Sequence, residues 1–154
     1  MAQCFGGYKR ILLPTDFSDH AARTASQVAW VARCGGSTVH LAHVVVNPLD
    51  PIYQPDAVEH WVVVEHANAR ARALLAALAE AHLPADIARE LHVLSGDPYA
   101  KLIDLAQRLE VDLIAMATHS SRHLAHRVIG GLAEKIARHA GCTVLIVRGP
   151  HASD

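Results

Sequence analysis

Ile11-Leu12-Leu13-Pro14-Thr15-Asp16-Phe17-Ser18 begins with three apolar residues, stops at Pro14 and turns polar. A short apolar run closed by proline and turn-forming residues reads as a buried strand entering a loop. Ser18 is a good N-cap, and Ala22, Ala25, Val28, Ala29 and Ala32 then recur at helical spacing until Gly35-Gly36 stops the pattern. A strand that passes through a four-residue polar turn into a helix is the first half of an α/β unit.

The same alternation continues outward. Thr38 to Val46 is rich in β-branched residues and reads as a strand buried on both faces. Asn47, Pro48, Pro51 and Pro55 make a loop, and Ala57 to Ala81, rich in Ala and Leu and dotted with Glu65, Arg70, Arg72 and Glu80, reads as an amphipathic helix ended by Pro84. Ile87 to Leu94 is a third strand, closed by Ser95-Gly96-Asp97-Pro98. Tyr99 to Leu109 follows, with Leu102, Ile103, Leu105, Ala106 and Leu109 on a helical stripe. Val111 to Ala117 is a fourth strand, Gly130 to His139 a helix and Thr143 to Val147 a last strand. The order β-α-β-α-β-α-β-α-β demands an α/β fold with a parallel sheet and helices on both faces, because parallel neighbours need crossover connections. Ligands in such sheets sit beyond the carboxyl ends of the strands. That rule selects Pro14, Thr15 and Asp16, the span from Val44 to Asn47, and Met116 onward.

At 154 residues the chain suits one domain, with its core over about residues 8 to 148, and no repeat or second domain interrupts it. Its hydrophobic share of 51% and charged share of 19% exclude a disordered or collagen-like chain. A formal charge of −1 gives no field for holding a polyanion, so nucleic acid is not expected as a partner. Cys4, Cys34 and Cys142 are odd in number and lack CxxC spacing, which fits reduced thiols. Met1 to Tyr8 lacks a signal-peptide pattern and no apolar run approaches the roughly 18 residues of a membrane helix, so a cytoplasmic location without membrane attachment is expected.

Several separated segments together resemble the universal stress protein family. They are Ile11 to Ser18, Met116-Ala117-Thr118-His119, Gly130-Gly131-Leu132-Ala133-Glu134-Lys135-Ile136, and Cys142-Thr143-Val144-Leu145-Ile146-Val147-Arg148. The resemblance implies an open five-stranded parallel sheet in order 3-2-1-4-5, of the adenine nucleotide alpha hydrolase-like kind, and a homodimer paired through the last strands. It also implies a stress-response protein that binds ATP or another adenine nucleotide, with Asp16 against the base or ribose and the Val44 backbone bordering the base. The family's binders carry Gly-x2-Gly-x9-Gly-Ser or Gly-Thr after the fourth strand. Here those positions are Ala117, Ser120, Gly130 and Gly131. Glycine lets backbone lie against a ribose or phosphate, so Ala117 and Ser120 crowd that approach, and Gly131 offers no hydroxyl. Nucleotide binding is therefore expected to be weakened at Ala117, Ser120 and Gly131.

Each signal has a plainer alternative. Asp16 also suits a helix-entry carboxylate. Gly130 and Gly131, followed by Leu132 and Ala133, open a helix whose unpaired N–H groups suit a small anion, or they simply form a tight turn. Arg122, His123, His126 and Arg127 could add donors. His119, His123 and His126 are spaced like metal ligands, but twelve histidines make such clusters common by chance, and no metal site is expected. His40 and His43 are expected to pack or hydrogen-bond near the sheet. There is no Gly-x4-Gly-Lys-Ser/Thr loop and no lysine between Met116 and Gly131, and no Gly-x-Ser-x-Gly elbow presents Ser120 or Ser121, so no catalytic residue is assigned. The expected function is regulatory ligand binding, acting on dimer state or on docking of a protein partner. A ligand-free interaction module is the alternative, and slow ATP hydrolysis a lesser one. Thr143 to Val147, an apolar strand at a sheet edge, is the expected dimer contact.

Overall fold

The computed structural model describes residues 7–46, 57–118 and 131–148. The elements run β1 Arg10–Pro14, α1 Asp19–Gly35, β2 Thr38–Val45, α2 Ala57–His82, β3 Ala88–Ser95, α3 Pro98–Arg108, β4 Leu113–Ala117, α4 Gly131–His139 and β5 Thr143–Val147. The five strands form one parallel sheet in the order β3-β2-β1-β4-β5. The fold class and strand order expected from the sequence are those observed.

Alternation along the strands sorts side chains into two cores, since successive residues point to opposite faces. Ile11 and Leu13 of β1, Val39 and Leu41 of β2, and Leu113 and Ala115 of β4 pack beneath α1 and α2. Leu12, Ala42, Ile114 and Met116 point the other way and pack against α3 and α4 through Leu102, Leu105, Ala133 and Ile136. Ile11, Leu12 and Leu13 are all buried, as expected of a central parallel strand covered on both faces. Burying each such side chain stabilises the fold by about 1.5–3 kcal/mol.

The helix ends follow local chemistry. Ser18 accepts a hydrogen bond from Ala21 N, and α1 stops where Gly36 adopts a left-handed φ of 61° and donates its N–H to Ala32 O. Asp97 caps α3 through Ala100 N, and Pro98 occupies the first turn, where its missing N–H costs nothing. The expected strand from Val111 is shorter than read: β4 starts at Leu113. Glu110 turns left-handed at φ 48°, and Val111 N still bonds back to Ala106 O at the end of α3. Asp112 instead turns its carboxylate to Lys9 N at 2.8 Å and Arg10 N at 3.1 Å, holding the start of β1. Strand β2 likewise ends at Val45, leaving Val46 exposed.

Candidate functional site

The turn after β1 is built by its own side chains. Thr15 N donates to Ala42 O at 2.9 Å, continuing the β1–β2 ladder one residue past the strand. Thr15 Oγ1 accepts from Phe17 N, and Asp16 Oδ1 from Ser18 N, each at 3.0 Å. These two side-chain turns carry the chain into α1 while Phe17 takes a left-handed φ of 62°, a region that non-glycine residues rarely occupy. His43 Nδ1 donates to Thr15 O at 2.8 Å, and its ring lies 4.4 Å from the Phe17 ring. The expectation that His43 hydrogen-bonds near the sheet is met. Because the carbonyl can only accept, this bond fixes the proton on Nδ1 and leaves Nε2 an acceptor in the neutral ring.

On the other side of the sheet's midline, β4 ends at Ala117, and Thr118 N donates to Val147 O at 3.1 Å. Helix α4 opens at Gly131. Its first N–H groups lack partners within the helix, and the aligned peptide dipoles give that end a partial positive charge. Between these segments lies a cleft of about 440 Å³, in the size range of small-molecule sites. It sits at the carboxyl ends of β1, β2 and β4, where strand order reverses between β1 and β4.

Nine of the residues singled out from the sequence line this cleft. Pro14, Thr15 and Asp16 come from the β1 turn, Val44 from β2, Met116 and Ala117 from β4, and Gly131, Leu132 and Ala133 from α4. His119, Ser120 and Gly130 lie outside the described residues, as do Arg122, His123, His126 and Arg127. The cleft also takes in Val46 and Thr118, which lie in the spans selected after β2 and β4, and His43, Pro98 and Leu102, which the sequence reading did not assign to it. Pro98 and Leu102 belong to α3, whose start follows the carboxyl end of β3, so the rule that selected the other strand ends would have found them. Asp16 is exposed, and no Lys or Arg is among the described residues lining the cleft. The walls are thus mostly uncharged, with one carboxylate at the β1 end and a helix N-terminus facing it from α4.

The sequence model described as "Universal stress protein family" matches residues 7–148. The chain is 26% identical over 144 residues to the universal stress protein MJ0531 of Methanocaldococcus jannaschii, covering 93% of this chain and 84% of that protein. It is 30% identical over 142 residues to a universal stress protein of Thermus aquaticus, covering 92% and 99%. Among solved structures, the hypothetical protein MJ0577 superposes with a TM-score of 0.81 at 22% identity, over 95% of this chain and 99% of that one. A universal stress protein in complex with cAMP gives 0.58 at 23% identity, over 92% and 98%. The universal stress protein of Archaeoglobus fulgidus in complex with dAMP gives 0.58 at 20% identity, over 91% and 98%.

Proposed function

The chain belongs to the universal stress protein family, and from that premise we propose that its cleft binds an adenine nucleotide and that occupancy regulates the assembly or partner docking of the protein. The carrying observation is the cleft at the point where strand order reverses, with apolar walls at Val44 and Met116 and the start of α4 opposite Asp16. Apolar walls suit a purine, an exposed carboxylate suits ribose hydroxyls, and a helix N-terminus suits phosphate. Two structural neighbours named as complexes with cAMP and dAMP support the same ligand class.

Ala117 and Gly131, together with Ser120 outside the described residues, lead us to expect weaker ATP binding than in family members with Gly-x2-Gly-x9-Gly-Ser/Thr, and a preference for a short phosphate chain. A thermal-shift scan with ATP, AMP and cyclic AMP tests this reading, because a ligand of the native state raises stability by RT ln(1 + [L]/Kd). A rise with AMP or cyclic AMP at least equal to that with ATP is expected. No shift with any of the three would favour the alternative, a dimeric interaction module without nucleotide.

The remaining parts of the proposal are a single domain over residues 1–154, a cytoplasmic location and a homodimer through Thr143–Val147. The dimer is supported by the position of β5 at an open sheet edge, with Val144, Leu145, Ile146 and Val147 only half buried. No helix among the described residues is long and apolar enough to cross a membrane.

A further inference from the structure

The opposite edge of the sheet carries a second constellation, independent of the cleft. In the β2–β3 register His40 stands beside Glu90 and Ala42 beside His92. Residues two apart on a strand share a face, so Glu90 and His92 project from β3 on the side where His40 projects from β2. His40 Nδ1 lies 3.2 Å from His92 Nε2 and 3.4 Å from Glu90 Oε2, and His92 Nε2 lies 3.8 Å from the same Oε2.

From this triangle we infer that His40, Glu90 and His92 form a binding site for a divalent transition-metal cation of the zinc class. The point equidistant from three atoms so spaced is about 2.0 Å from each, and zinc bonds to imidazole nitrogen and carboxylate oxygen are about 2.0–2.2 Å long. Two imidazoles and one carboxylate are also a donor set that zinc takes, with a fourth position left for water. Burial is graded across the three, with side-chain exposures of 5% for His40, 20% for His92 and 59% for Glu90. The site thus has a buried base and an outer ligand open to solvent, which provides both rigidity and an entry path.

The His40 ring is buried, with no hydrogen-bond partner for Nε2 among the described residues, and Nδ1 is the nitrogen that faces the other two ligand atoms. The nearby guanidinium groups each have a carboxylate partner, Arg10 with Glu110 at 3.4 Å and Arg108 with Asp104 at 2.9 Å, which offsets part of their charge. Glu90 therefore supplies the local negative charge that the ion would meet.

The test is a competition titration of the full chain, stripped with a chelator, using Zn²⁺ against a chromophoric chelator. The wild type should show one tight equivalent per chain above the weak binding expected of its remaining histidines. Glu90→Gln and His92→Gln each remove one ligand from a partly exposed position on the edge strand, and each should weaken that equivalent by at least about tenfold. In the wild type alone, Co²⁺ should give the visible bands of a low-symmetry tetrahedral site. A wild type without a tight equivalent, a tight equivalent that either replacement leaves unchanged, or a purely octahedral Co²⁺ spectrum would overturn the inference.

Discussion

Asp16 serves two demands that substitution can separate. Its Oδ1 accepts from Ser18 N and so helps to form the turn, while the residue remains exposed at the cleft. Asn keeps an oxygen for the turn and discards the charge, so Asp16→Asn should leave the unfolding free energy from urea titration within about 0.5 kcal/mol of wild type. If the carboxylate also holds ribose hydroxyls, nucleotide affinity should fall by about ten- to a hundredfold, the value of a charged hydrogen bond. Equal calorimetric affinities for the two proteins would leave Asp16 only its turn-forming role. Gly131 offers the converse experiment. A Cβ built there meets nothing within 4 Å among the described residues, which leaves room for a side chain at the start of α4. Gly131→Ser should therefore fold as stably as wild type and bind ATP more tightly, by up to about ten- to a hundredfold if the hydroxyl reaches a phosphate. The sequence revealed the missing hydroxyl. That the position has room for one depends on the surrounding atoms, which only the folded chain defines.

At the scale of elements, the pairing of β2 with β3 brings together groups whose protonation depends on folding. Burial pushes His40 below the ordinary histidine value, and Arg10 adds to the shift while Glu90 opposes it. Burial lowers His92 too, with His40 and Arg108 adding and Glu90 opposing. With both values depressed in the folded chain, the unfolded chain binds more protons as pH falls through about 6.5, and stability declines with it. Urea unfolding in the presence of a chelator should thus give a lower midpoint at about pH 5.5 than at about pH 7.5. His92→Gln should narrow that difference, and an unchanged difference would assign the effect to other histidines. The helices and strands themselves were largely legible, because Ser18, Gly35-Gly36 and the β-branched run of β2 signal their own structure locally. The start of β4 was not. Val111 and Asp112 read as strand by composition, but the end of α3 takes Val111 N and the first residues of β1 take the Asp112 carboxylate.

For the whole molecule the open edge at β5 sets the expected assembly. Its backbone groups face no further strand among the described residues, and Ile146 is half buried on the face that packs with α3 and α4. Light scattering at micromolar concentration should show a dimer. Ile146→Lys should shift it to monomer, since a lysine there must be desolvated for the strands to pair. A monomeric wild type, or a dimer indifferent to the lysine, would place the contact elsewhere.

The sequence by itself determined the parallel α/β architecture and most of the cleft, because both follow from local signals. Alternating strands and helices force crossovers, and the residues just past each strand end must gather at one edge of the sheet. Only the tertiary structure decided that His43 joins that cleft, and that His40 meets Glu90 and His92. His40 is separated from His92 by 52 positions along the chain, and from Glu90 by nearly as many. No spacing rule connects them, since their approach is set by strand register, which is fixed when the two cores are packed.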